Sequence, residues 1–100
     1  MPENKQRKMA LWIRTNLVNI GKAIKEAQAE RDNPGSPVMS GSDTLKFAAT
    51  ALNKMVDIPL LPEFVEQLIF ETAITVVVEL ARAIWGKKDW FSQLMRELNL

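Results

Sequence analysis

The fold is decided by residues 62–85, which read PEFVEQLIFETAITVVVELARAIW. Apolar residues recur here at helical spacing, and winding the segment at about 100° per residue gives an apolar face about 180° wide. A surface helix usually has an apolar stripe only about 100° wide. The opposite half is polar, although Leu68 and Val78 interrupt it. We therefore predict one long helix with one side in water and two neighbours packed against the other side.

The ends of this segment also indicate a helix. Pro62 suits the first turn, Gly86 suits the residue just past the end, and Glu63 and Glu66 place negative charge near the positive end of the helix dipole. The β-branched run 74–78 would also fit a strand. We reject the strand because the flanking residues keep the helical period and no other segment offers a partner strand.

Three further segments have helical periodicity, and the chain is of a length typical of one domain, residues 1–100. These helices are predicted at residues 3–31, 43–56 and 90–98. Ser42 is the predicted N-cap of the second and Asp89 of the last. Residues 32–42 contain two prolines and two glycines, which predicts a loop. The sequence therefore predicts an all-α fold.

The four predicted helices are uneven, because two are long and two are short. Helices 3–31 and 62–85 would span roughly 42 and 36 Å at about 1.5 Å per residue, and the short helices cannot cover that length. A second copy of the chain would supply the missing cover. We therefore predict an irregular four-helix arrangement around helix 62–85 that is completed by homodimerisation.

The composition excludes several classes of chemistry. The chain has no cysteine and no histidine, which removes thiolate sites, the usual general base and the commonest transition-metal ligand. The carboxylates of Glu63 and Glu66 fall on the opposite side of the long helix from those of Glu71 and Glu79, so they do not converge on one ion. We predict no enzymatic activity, no cofactor and no metal site.

The sequence also indicates whether the chain has a transmembrane segment and where in the cell it is expected. The most apolar window, residues 68–85, contains Glu71, Glu79 and Arg82, and each would cost a few kcal/mol near the centre of a bilayer. We expect no transmembrane segment. The basic N-terminal region lacks the apolar core of a secretory signal, so the expected location is the cytoplasm.

Charge is distributed unevenly along the chain. Residues 1–25 carry six cations and one anion, whereas the remaining 75 residues carry seven cations and eleven anions. The candidate basic patch consists of Arg7, Lys8, Arg14, Lys22 and Lys25. Such a helix could bind nucleic acid or, with Trp12 at its boundary, the surface of an anionic membrane. It could equally be a bundle helix with a basic outer side.

Aromatic, methionine and isolated apolar residues supply a candidate interface. The set is Trp85, Trp90, Phe91, Leu94, Met95, Leu11 and Val18. Aromatic residues and methionine are enriched at interfaces, but they are equally good core residues, and the pattern leaves both readings open. The preferred function is a homo-oligomeric interaction or structural module that binds a second copy of itself, and an unidentified protein is a further candidate partner. The alternative is a nucleic-acid or peripheral membrane binder that uses the basic helix.

Overall fold

The computed structural model describes residues 2–100, with side chains from residue 7 onward, and this part of the chain is α-helical without strands. The five helices are α1 (Pro2–Thr15), α2 (Leu17–Asp32), α3 (Gly41–Met55), α4 (Glu63–Trp85) and α5 (Trp90–Glu97). The predicted all-α class is confirmed. Helix α4 lies within one residue of its predicted bounds, and α3 begins two residues before the predicted start.

The first predicted helix, residues 3–31, is interrupted at Asn16, so the chain has five helices rather than four. The carbonyl oxygen of Trp12 accepts two hydrogen bonds from Asn16, one from the backbone N–H at 3.0 Å and one from Nδ2 at 2.9 Å. An asparagine side chain that bonds to its own helix backbone competes with the regular pattern and bends the helix. The pattern resumes at Ile20, whose N–H donates to the Asn16 carbonyl.

Helix α3 is capped by Ser40 and not by the predicted Ser42. The Oγ of Ser40 accepts a hydrogen bond from the Asp43 N–H at 3.0 Å, and Asp43 Oδ2 accepts one from the Ser40 N–H at 3.2 Å. This is a capping box, in which two otherwise unpaired N–H groups are satisfied reciprocally. The bond from the Ser40 backbone, followed by the bond to its side chain, holds the pKa of Asp43 below its usual value.

The core lies where α4 meets α2, α3 and α5. Phe70, Ile20 and Leu52 are the largest completely buried side chains. The buried side of α4 carries Phe70, Ala73, Ile74, Val77 and Ala81. Alanines dominate the facing sides of α2 and α3, and small side chains let helix backbones approach closely. The buried alanines on these two helices are Ala23, Ala27, Ala48, Ala49 and Ala51.

Glu66 is the one charged residue that is buried in the described part of the chain, at 5% exposure. Its Oε2 accepts a hydrogen bond from the Ile58 N–H at 2.7 Å, across the linker between α3 and α4. A buried carboxylate is tolerated when such bonds replace water. Glu66 therefore fixes the linker to the start of α4, a role beyond the dipole interaction predicted from the sequence.

The C-terminal residues pack against α2 at a glycine. A Cβ atom on Gly21 would lie 2.5 Å from Leu98 Cδ1 and 2.9 Å from Leu100 Cδ1, so the ends of these two side chains occupy the space that a larger residue would need. Nearby, Lys25 Nζ donates to the carbonyl oxygen of Leu100 at 3.1 Å. The molecule is elongated, with extents of 45 × 29 × 22 Å and a radius of gyration of 13.7 Å, against about 13 Å expected for 100 residues.

Candidate functional site

An exposed ridge runs along the outer side of α4. It consists of residues at every fourth position, Phe64, Leu68, Thr72, Val76, Leu80 and Ile84, and every one is exposed. The exposed fraction is 70% for Phe64, 58% for Leu80 and 68% for Ile84. Residues at this spacing form the continuous ridges by which helices pack into the grooves of other helices. We call this set the α4 ridge.

The apolar face predicted for α4 is therefore only half covered. Its covered half packs against α2, α3 and α5, whereas Val76, Leu80 and Ile84 remain at the surface. The sequence predicted two neighbours on the apolar side of α4, whereas three helices pack there and still leave part of the predicted face exposed. No described helix covers the outer half.

The C-terminal half of the α4 ridge borders a groove between α4 and α1. One wall is formed by Met9 and Ile13 of α1 with Leu17 at the start of α2, and the other by Val76, Leu80 and Ile84 of α4. Val77, Ala81 and Leu94 form the floor. The groove has a volume of about 560 Å³, and Arg14 is the charged residue among its described lining side chains. We call it the α1–α4 groove.

The α1 wall is attached to the core through an aromatic contact. The ring of Trp12 stacks on that of Phe70, with 5.6 Å between the centroids and 21° between the planes. Ile13 of α1 and Leu17 at the start of α2 also pack against the core, and both are half-buried, as is Met9. All three line the groove, which stays open between α1 and α4. An elongated apolar element could therefore lie between the two helices.

The predicted interface residues do not form one surface. Leu94 and Met95 lie in the core at 6% and 8% exposure, because α5 turns its apolar side inward. Trp90 and Phe91 are half-buried and pack edge to face, with 5.7 Å between their ring centroids. Trp85, which is half-buried, lines the end of the α1–α4 groove.

Leu11 and Val18, the other two predicted interface residues, are 60% and 47% exposed. Neither lines the α1–α4 groove. The prediction omitted Val76, Leu80 and Ile84 from the interface, although it counted all three in the apolar face of α4. The available signal was the excess width of that face, which indicated that part of it would stay uncovered.

The candidate basic residues are all exposed, but they have different surroundings. Arg14 lines the α1–α4 groove, and Lys8 lines a small crevice with Trp12 and Ile58. Lys25 donates its hydrogen bond to Leu100. The sequence prediction placed these cations on one continuous helix, residues 3–31, whereas the break at Asn16 divides them between α1 and α2. The break therefore reorients Lys22 and Lys25 relative to Arg7.

A second crevice, of about 270 Å³, lies among α2, α3 and α4. Its lining includes Arg31 and Arg82 but also Glu79, so it carries both signs of charge. Among the described side chains there is no group of three or more acidic residues placed to hold a metal ion. None of the described helices combines the length and apolarity needed to cross a bilayer.

Among the described residues, the α4 ridge and the α1–α4 groove thus form an extended, mainly apolar surface. Its side chains include no cluster of acid, base or nucleophile. Its chemistry suits a nonpolar contact with another helix. Comparison with known proteins gives no match to a family model, to a curated protein sequence or to a solved structure.

Proposed function

We propose that this protein is a homo-oligomeric interaction module that acts without catalysis in the cytoplasm. One observation carries the proposal: the α4 ridge, a row of mostly apolar side chains, is exposed along the whole helix. Phe64, Leu68, Leu80 and Ile84 are each at least 58% exposed. Contiguous exposed apolar patches are uncommon on monomers and usually mark interaction sites. Self-association would remove this surface from water.

The total surface area supports the same proposal. The chain exposes 7028 Å², whereas a compact monomer of 11.3 kDa is expected to expose about 5,700 Å². The excess is about 1,300 Å². An interface of standard size buries about 800 Å² on each partner. One such contact would bring the exposed area of each copy much nearer to that of an ordinary folded protein.

Sedimentation equilibrium, from low to high micromolar protein, tests this proposal. We expect the mass to rise with concentration from 11.3 kDa toward twice that value. The shift follows mass action, so it should reverse on dilution. A mass that stays at 11.3 kDa at high micromolar concentration would overturn the proposal.

The net charge of +5 in residues 1–25 and the exposure of the basic patch favour nucleic-acid binding as a second candidate. Binding of this kind releases counterions, so retention on heparin should weaken steeply with salt. The double substitution Lys22→Glu and Lys25→Glu should abolish retention, whereas Lys46→Glu and Lys54→Glu on α3 should have little effect. Equal retention of both variants would exclude a specific role for the basic patch.

A further inference from the structure

We propose that the occupant of the α1–α4 groove is the α4 ridge of a second copy, so that two molecules dock through the same surface. This inference rests on the proposed function and names its binding surface and its partner. Each copy carries both a ridge and a groove. If the two copies are related by a two-fold axis, the ridge of each copy can fill the groove of the other.

The α4 ridge has the spacing by which one helix packs against another. A ridge of residues at every fourth position packs into the groove beside the same kind of ridge in the commonest class of helix crossing. Val76, Leu80 and Ile84 form both the exposed ridge and one wall of the groove. Ala83, which is exposed beside them, is small enough to let a second helix approach. The contact would then centre on Leu80.

The charges beside the ridge favour a second copy over a lipid surface. Glu79 directly precedes Leu80 and is exposed, and Glu71 directly precedes Thr72. These carboxylates would be repelled by anionic headgroups. The groove wall, in contrast, carries Arg14, and the α1 helix that supplies it is basic. A second copy thus offers an apolar ridge to the groove and carboxylates to its basic wall.

Two matched substitutions test this arrangement. Leu80 and Leu11 are the same residue type with nearly equal exposure, 58% and 60%, but only Leu80 lines the groove. We expect Leu80→Glu to weaken the dimer at least about 100-fold, because two leucines leave an apolar interface and two charges enter it. Leu11→Glu should change the dissociation constant less than about threefold, since an exposed residue outside the contact has little effect. Sedimentation gives the constants, and circular dichroism checks folding.

Single cysteines give a second test that does not place a charge on α4. The chain has no native cysteine, so each introduced thiol is unique. We expect a short bismaleimide to join two copies of Leu80→Cys and to leave Leu11→Cys monomeric. If Leu80→Glu fails to fold, this crosslinking test still decides whether the surface around Leu80 is the dimer contact. Crosslinking of Leu11→Cys alone would overturn the inference.

The outcomes separate this inference from the proposed function. A wild-type dimer that persists in Leu80→Glu, or that is lost equally in Leu11→Glu, would overturn the proposed surface and leave homo-oligomerisation intact. A wild-type monomer would overturn both. Cosedimentation of a monomer with vesicles of phosphatidylglycerol and phosphatidylcholine, abolished by Leu80→Glu, would assign the ridge to a membrane and overturn the docking of a second copy.

Discussion

The indole of Trp12 stacks on the ring of Phe70, and this contact joins the N-terminal helix to the core. Phe70 is completely buried in α4, and Trp12 is half-buried on α1. Their ring centroids are 5.6 Å apart. Aromatic pairs at this distance contribute about 0.5–1.5 kcal/mol beyond the area that they bury. Because α1 forms one wall of the α1–α4 groove, the pair also determines where that wall lies.

Trp12→Ala should therefore affect both stability and association. We expect the free energy of unfolding to fall by about 2–3 kcal/mol, less than for a completely buried tryptophan. The dimer should weaken as well, because the α1 wall loses its attachment. Urea titration measures the first effect and sedimentation the second. Trp90→Ala is the control, because Trp90 packs on Phe91 and does not line the α1–α4 groove. An unchanged dimer in Trp12→Ala would contradict this role.

Two serines distinguish the observed start of α3 from the start predicted by sequence. Ser40→Ala removes the side-chain oxygen that caps the helix and should lower the free energy of unfolding by about 1 kcal/mol. Ser42 is exposed within the first turn, and Ser42→Ala should change the free energy of unfolding by less than about 0.5 kcal/mol. Thermal or urea unfolding measures both. A larger loss in Ser42→Ala would contradict the Ser40 cap.

The capping box also predicts a dependence on pH. Hydrogen bonds from Ser40 lower the pKa of Asp43 in the folded protein. A carboxyl with a lowered folded-state pKa adds stability that is present above its unfolded pKa and is lost as pH falls through the folded value. Asp43→Asn should therefore make the loss of stability below about pH 4 shallower. Urea titrations across acidic pH measure this slope. Asp57→Asn, an exposed position in the linker, serves as the control, and an equal effect of both variants would argue against the box.

Gly21 should respond differently in two backgrounds. In the wild-type chain, Gly21→Ala places a Cβ atom against the ends of the Leu98 and Leu100 side chains, and we expect their displacement to offset the gain of about 1 kcal/mol that alanine has over glycine in a helix. In the Leu98→Ala background the closer side-chain end is gone, so Gly21→Ala should be more favourable there by at least about 0.5 kcal/mol. A double-mutant cycle of unfolding free energies measures the coupling. Strictly additive effects would mean that the C-terminal residues do not pack on Gly21 in solution.

The all-α class and the long helix could be predicted from the sequence, whereas the break at Asn16, the cap at Ser40 and the assembly of the helices were not predicted. Helix 62–85 is observed at Glu63–Trp85 because its apolar period, its proline and its glycine all lie within the segment. The capping box was also present as the pattern Ser40-x-x-Asp43, although the sequence prediction selected Ser42. The break at Asn16 carried no comparable signal, since asparagine is common in unbroken polar helix faces.

The sequence by itself determined the all-α class, the long helix α4 and the width of its apolar face, because periodicity is a property of neighbouring residues. The tertiary structure decided which half of that face is buried. Leu80 and Phe70 are both part of the predicted face, yet Phe70 is completely buried and Leu80 is 58% exposed. The difference arises because α2, α3 and α5 together can cover one side of α4 and no more. Burial depends on which distant segments have the volume and length to reach a side chain. The helical period describes neighbouring residues only, so it does not show which distant segments will pack on them.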